Sequence, residues 1–337
     1  TSKSRHRQGA KESMAILITG GTGFIGVGLA HKLVARGEDV VLFDVAPRME
    51  RVADIRDGVK VVRGDLTVWP EVMNAIKGNR ITGIFHLGSM LSGPSENNPW
   101  AAFQTNLAGT MHVLEAARLF EVERFVFPSS IGTFGLNTGE VVTDETIQRP
   151  ITFYGAGKLY IELLGRFYGR KFGLDFRCLR YPIVIGPGIK TRFFLHYSSL
   201  MIEYAALGRP YECTLSKDVV TPNLYVKDAI RAVETLYYAP RENIKTVCYN
   251  VAGVSPAGPA RELEAAVKKL IPGAVISYRP DPADMAYFRE YFRGIRVFDD
   301  RRAREEWGWQ PRYTDYEKVA TDFISEVKAR PEFYGLV

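Results

Sequence analysis

Gly20, Gly23 and Gly26 recur at three-residue spacing in Thr19-Gly20-Gly21-Thr22-Gly23-Phe24-Ile25-Gly26, between an apolar run over Ala15–Thr19 and a helical pattern over 24–36. No other stretch restricts the fold so sharply. Without a Cβ the backbone can turn tightly from strand into helix, and the helix N-terminus then offers free N–H groups and its positive dipole end to an anion. The string alone is a weak signal; the strand before it and the helix after it give it meaning. A dinucleotide pyrophosphate is therefore expected against Gly20, Gly23, Phe24, Ile25 and Gly26.

The rest of the first half fits that start. Val40–Asp44, Val59–Gly64, Gly83–Leu87 and Arg124–Pro128 are short runs rich in Val, Ile and Phe, with helical patterns at 70–77 and 99–120 between them. Strands apolar on both faces and alternating with helices predict a doubly wound parallel sheet. A helix over 154–172 and a strand over Phe176–Ile185 follow. Beyond these the pattern turns irregular, with helices expected near 192–207, 226–239, 260–271 and 315–329 and short strands near Tyr249–Val251 and Val275–Tyr278. The expected organisation is an N-terminal extension or expression remnant over 1–13, a nucleotide-binding domain over 14–187 carrying the catalytic residues, and a smaller, mainly substrate-binding lobe over 188–337.

Composition narrows the partners. The 337 residues are 46% hydrophobic and 24% charged, with a net charge of +6. Four of the cations, Lys3, Arg5, Arg7 and Lys11, lie in the first thirteen residues beside a single acid, Glu12. The others are interleaved with acids and form no basic stripe, so nucleic acid is not an expected partner. No apolar run is long enough to span a membrane, and none near the N-terminus reads as a signal sequence. Cys178, Cys213 and Cys248 are odd in number and far apart, which fits neither a disulfide framework nor a zinc site and suggests the cytoplasm.

Around the glycine turn, Asp44 ends the second strand where a carboxylate meets the adenosine ribose; it would accept from both hydroxyls and repel a 2′-phosphate. That favours NAD, with Arg48 as the complicating neighbour. Asp65 and Leu66 stand where adenine would lie. Leu87, Gly88 and Ser89, after the fourth strand, would let the cofactor rest on the strand end. His86 reads as structural, and no metal site is visible.

Tyr154 and Lys158 are four apart at the start of a helix and so share one face. Tyrosine is a weak base at its ordinary pKa of about 10. A nearby ammonium, together with the positive nicotinamide of an oxidised cofactor, would favour phenolate, which can take a proton from an alcohol as hydride leaves. Lys158 can also hold the nicotinamide ribose. Ser129 and Ser130 end the fifth strand, where a hydroxyl could steady the substrate oxygen.

Together these residues resemble the extended short-chain dehydrogenase/reductase family of NAD-dependent epimerases and dehydratases, with its Rossmann fold. The likeness runs from Met14 through the glycine motif, Asp44, Asp65-Leu66, the Asn106 region, Ser130, Tyr154, Lys158 and Tyr181-Pro182 to Trp307-Gly308-Trp309-Gln310-Pro311. It implies Ser130 rather than Ser129 as the catalytic hydroxyl, Asn106 as a helix-borne residue beside the cofactor, and Tyr181 among the cofactor contacts. Within the family the likeness is greatest to the short-chain type of L-threonine 3-dehydrogenases, in His86–Ser92, Pro128–Gly135, Arg180-Tyr181-Pro182 and Asp299–Trp309. It implies that Ser92, Ser130 and Tyr154 touch substrate.

Two segments depart from that group, Gly186–Phe194 and Tyr291–Phe298. In the first, Thr191 and Arg192 are expected to bind substrate; Arg289 just before the second and Arg293 and Arg296 within it could, like Arg192, bind an anionic group. The expected activity is NAD-dependent oxidation of a secondary alcohol on a small polar, threonine-like molecule. The alternative is a nucleotide-sugar 4-epimerase or dehydratase, although Ile131 and Gly132 stand where a dehydratase needs acids. The helices over 99–120 and 154–172 are apolar on more than one face, and the resemblance implies that they pair in a homodimer.

Overall fold

The structure, a computed structural model, describes residues 14–136, 138–189, 194–291 and 294–336. Seven parallel strands form the central sheet: β1 (Ala15–Thr19), β2 (Asp39–Asp44), β3 (Val59–Arg63), β4 (Ile81–His86), β5 (Arg124–Ser130), β6 (Asp175–Tyr181) and β7 (Cys248–Asn250). Their order is β7-β6-β5-β4-β1-β2-β3. The chain winds outward from β1 to one edge, then returns to β4 and winds outward to the other. The reversal leaves a crevice beyond the carboxyl ends of β1 and β4, the usual ligand position in such sheets. Register aligns Thr19 with both Phe43 and His86, so all carboxyl ends share one edge.

Successive side chains of a strand face opposite ways. Ile16 and Ile18 of β1 accordingly enter one core and Leu17 the other, and both are sealed from water. Helix α1 (Gly26–Ala35) packs on one face beside α4 (Val226–Tyr238), so closely that a Cβ at Gly28 would lie 2.4 Å from the Ile230 Cδ1. On the other face lie α2 (Gly109–Leu119) and α3 (Phe153–Phe172). The twenty residues of α3 begin where the Thr152 hydroxyl accepts the Gly155 N–H and stop at Gly173, whose φ of 77° ends the helix. Serine or threonine caps and left-handed glycine stops are the standard terminators of helices.

One expectation is corrected here. The run Phe176–Ile185 is not one strand. Pro182 has no N–H to give a ladder, and beyond it Ile183–Ile185 leaves the sheet to pair with Asn223–Tyr225. Beyond residue 187 the chain also returns to this layer, because β7 pairs with β6 and α4 packs beside α1. Residues after 187 thus complete the nucleotide-binding layer as well as building the smaller part. That part includes a helix over Pro282–Tyr291, absent from the sequence reading, which we label α5. Among the described residues no helix is long and apolar enough to cross a membrane, and no cluster of His, Cys, Asp and Glu could hold a metal ion.

Arg177 of β6 ties the layers together. It is fully buried, grips Asp175 through Nε and Nη2, and donates through Nη1 to the carbonyls of Leu236, Tyr237 and Ala239, the unpaired end of α4. Replacing it by Met would leave Asp175 largely uncompensated and three carbonyls short of a donor. Breaking a buried pair costs about 3–5 kcal/mol. Urea unfolding of Arg177→Met should show a loss of that order; a loss under about 1 kcal/mol would contradict this role.

Candidate active site

The crevice is built around glycine. Gly20 has φ +62° and lies so close to the β4 end that a Cβ there would sit 2.9 Å from the Gly88 Cα. A Cβ at Gly26 would meet the Gly20 carbonyl at 2.4 Å. The α1 N-terminus has no side-chain cap and no acid in its first turn. Its N–H groups and dipole are therefore left for an outside anion, and a pyrophosphate fits that requirement. The Phe24 ring packs against Gly186, where a Cβ would lie 2.5 Å from its Cζ.

Asp44 is half-buried. Its Oδ2 accepts from Thr22 N–H at 3.1 Å and from the Thr22 hydroxyl at 2.7 Å, and its Oδ1 accepts from Ala46 N–H. Thr22, which the sequence reading passed over, thus orients the carboxylate expected at the ribose. The Arg48 backbone N–H donates to the Thr22 hydroxyl. Asp65 accepts from Thr67 N–H, and Leu66 fills the space between Gly88 and Gly109. Both stand on the crevice side of β3, as Leu87 does beyond β4, with its N–H bonded to the Thr19 carbonyl.

His86 anchors the crevice floor. The Thr110 hydroxyl donates to the Asn106 carbonyl, so His86 Nε2 must carry the proton that Thr110 accepts. Nδ1 then accepts from the Thr19 hydroxyl, which in turn accepts Gly88 N–H. Burial, aided by the Lys158 charge, pushes His86 down to about 3, so it stays neutral. Asn106 lies in a π-helical turn over Phe103–Ala108. Its carboxamide clamps Met90 through both N–H and C=O and accepts the Ser89 hydroxyl. It shapes the loop that leads to Ser92, the first residue of a short helix, Ser92–Asn97.

At the ends of β5 and α3, chemistry-bearing side chains converge. A Cβ on Gly155 would lie 2.2 Å from the Gly132 carbonyl, which brings the start of α3 against the turn after Ser130. Tyr154 stands near enough to Ser130 for the serine hydroxyl to ease its ionisation, and the Ser130 Oγ accepts Gly132 N–H at 3.1 Å. Lys158 Nζ donates to the Pro128 carbonyl at 2.8 Å and stands 4.4 Å from the centre of the Phe127 ring. Burial dominates both titrations: it pushes Tyr154 up to about 12, partly offset by Ser130, and Lys158 down to about 8. The ammonium alone therefore does not hold Tyr154 as phenolate, and the positive charge of an oxidised cofactor has to supply the rest.

Further residues bear on the site without having been singled out. Glu162 follows Tyr154 and Lys158 on the same helical face. Its carboxylate is buried and accepts from the Ser129 hydroxyl at 2.5 Å, from Arg180 through Nε and Nη2, and from Gln148. Ser129 and Ser130 point oppositely, as strand neighbours must, one to this network and one to Tyr154. Glu96 accepts the Tyr154 backbone N–H at 3.3 Å, and its charge reaches Tyr287 and Tyr291, stacked on α5 with ring centres 3.7 Å apart. A half-buried helical Glu beside a serine-rich loop carries no signature by which sequence could single it out. Tyr181 is buried and donates its hydroxyl to the Ala229 carbonyl. Thr191 and Arg192 lie outside the described residues.

Comparison with known proteins adds to this geometry. The family model described as the NAD dependent epimerase/dehydratase family matches residues 16–252. The chain is 35% identical to the mitochondrial L-threonine 3-dehydrogenase of Bos taurus, over 92% of this chain and 82% of that protein. The crystal structure of L-threonine dehydrogenase from Phytophthora infestans superposes with a TM-score of 0.84 at 32% identity, covering 94% of this chain and 99% of that one. UDP-glucose 4-epimerase from Thermotoga maritima, at 22% identity and a TM-score of 0.82 over 94% and 100% of the two chains, shares the fold.

The depressed Lys158 has a thermodynamic consequence. Between about 8 and its ordinary 10.5 the unfolded chain holds a proton that the folded chain has lost. Stability rises with pH wherever the unfolded state binds more protons. The stability of the wild type relative to Lys158→Met should therefore grow between about pH 8 and about pH 10 in urea unfolding. A flat or falling difference contradicts the burial of the ammonium.

Proposed function

This chain belongs to the NAD-dependent epimerase/dehydratase family and is an NAD-dependent dehydrogenase; on that footing we propose that it oxidises the secondary alcohol of a small amino-acid-like substrate, L-threonine first among them. What supports the reading most is the group formed by Tyr154, Ser130 and Lys158 at the carboxyl edge of the sheet, next to a glycine-lined, uncapped helix N-terminus. The names of the Bos taurus and Phytophthora infestans relatives add the threonine preference.

In this reading NAD, when bound, accepts hydride from the carbinol carbon. Gly20, Gly23, Gly26 and the backbone of Phe24 and Ile25 hold the pyrophosphate. Asp44, fixed by Thr22, accepts from the adenosine ribose and excludes a 2′-phosphate. Asp65, Leu66, Leu87, Gly88 and Ser89 line the rest of the crevice. Ser130 Oγ steadies the substrate oxygen, and Tyr154 Oη takes its proton once positive charge nearby offsets the cost of burial. Lys158, on the same face, keeps that charge close and grips the nicotinamide ribose. Ser92 and residues 191–192 contribute to substrate binding.

Tyr154→Phe keeps the ring and loses the proton acceptor. NADH formation from L-threonine should fall about 10²–10⁴-fold with unfolding unchanged. Near-normal turnover would remove Tyr154 from the mechanism. If the wild type reduces NAD with no alcohol but isomerises a UDP-sugar, the epimerase alternative replaces this reading.

A homodimer accompanies the proposal. Leu163, Phe167 and Phe172 of α3 and Met111 and Leu119 of α2 are large apolar side chains left exposed on these two helices, and exposed apolar surface of this kind favours association. Leu163→Lys combined with Phe167→Lys should yield a monomer by light scattering, whereas an unchanged mass would place the interface elsewhere. Three buried, free cysteines support a reducing compartment such as the cytoplasm.

A further inference from the structure

A cavity of about 330 Å³ lies between α1 and α4, on the side of α1 that carries Val27, Gly28 and His31. The C-terminal Phe333 and Tyr334 form another wall. It is far larger than a single water needs and falls in the range of small-molecule sites. Cations surround it, and most have partners: Lys32 pairs with Glu234, Lys227 with Asp322, Arg231 with Asp228, and Arg330 with Glu326. Arg51 and Arg312 also line it, and among the described residues neither is paired with an acid.

Arg51 is the unusual one. It is only 7% exposed, it gives one Nη to the Thr22 carbonyl at 3.2 Å, and its guanidinium stands 5.4 Å from the Phe333 ring centre. Its Nε is buried with no acceptor. Buried guanidinium groups are ordinarily completed by a carboxylate or phosphate, because an uncompensated buried charge is costly. Arg312 stands exposed at the mouth, and the Phe24, Phe333 and Tyr334 rings lie among the walls.

We propose that this cavity is a second binding site, for a small organic anion with a flat apolar body, its carboxylate or phosphate held by Arg51 and Arg312. The site also communicates with the dinucleotide crevice. Arg51 holds the Thr22 carbonyl, and Thr22 holds Asp44. An anion that neutralises Arg51 lowers the positive potential behind the glycine turn, so it weakens the binding of the anionic dinucleotide, and NAD weakens the anion by the same factor.

Calorimetry on the full chain without NAD tests this, with 1-naphthoate, 1-naphthyl phosphate, inorganic phosphate and the neutral 1-naphthalenemethanol as probes. One or both aryl anions should bind saturably, one per chain, and which of them binds tighter identifies the head group. Arg312→Glu, an exposed change that leaves turnover intact, should weaken that binding about tenfold or more, as should Arg51→Gln if it folds. The Kd for NAD should rise about fivefold and then level off at saturating aryl anion; competition at the crevice would show no plateau. The site is refuted if neither aryl anion binds, if the neutral alcohol or inorganic phosphate binds as tightly, or if Arg312→Glu changes nothing. An NAD affinity indifferent to the bound anion refutes the coupling.

Discussion

The Glu162 carboxylate sets the geometry on which the site depends. It is a buried charge on α3, two turns beyond Tyr154 and one beyond Lys158, and it is satisfied by Arg180 on β6 and Ser129 on β5. Charge-assisted, forked contacts of this kind fix direction as well as distance. With Glu162 held, α3 cannot rotate or slide on the sheet, so Tyr154 stays at Ser130 and Lys158 at the Pro128 carbonyl. The pair is not a clear net source of stability, because two charges had to leave water to form it. Its contribution is register: one helix face is tied to two strand ends by a single carboxylate.

The crevice half obeys a different constraint. There the chain is positioned by the absence of side chains, at Gly20, Gly26 and Gly88, where backbones approach to distances that a Cβ would block. Thr22 and Asn106 then fill in the hydrogen bonds that small residues cannot make. The two halves meet at the carboxyl ends of β4 and β5, the adjacent strands that carry His86 and Ser130.

Much of this was legible in the sequence because the signals are local. β-branched runs mark buried parallel strands, glycine spacing marks the turn, and Tyr154 and Lys158 declare their shared face by spacing alone. What sequence did not yield depends on contacts between distant segments. Glu162 looks like any helical acid until Arg180 and Ser129 are brought to it. The hydroxyl of Tyr181 is claimed by α4, a contact that no local pattern announces. Likewise β7 is only three residues long, and nothing in Cys248–Asn250 announces that it completes a sheet begun more than two hundred residues earlier. Pro182 was the one local clue to the break after β6, and it was read as part of a motif rather than as a missing donor.

The hydrogen-bond sequence through His86 has a consequence for proton traffic. From Gly88 N–H through Thr19, His86 and Thr110 to the Asn106 carbonyl, every donor points the same way, and both ends are backbone groups. Passing a proton along such a row would need a charged imidazole, which burial forbids near neutrality, and then a concerted reversal of every hydroxyl. The row is thus an insulator between the crevice floor and the catalytic face. On the proposed role of Tyr154, a proton taken up there would leave by a route other than this row, and the floor of the crevice would keep its charge unchanged.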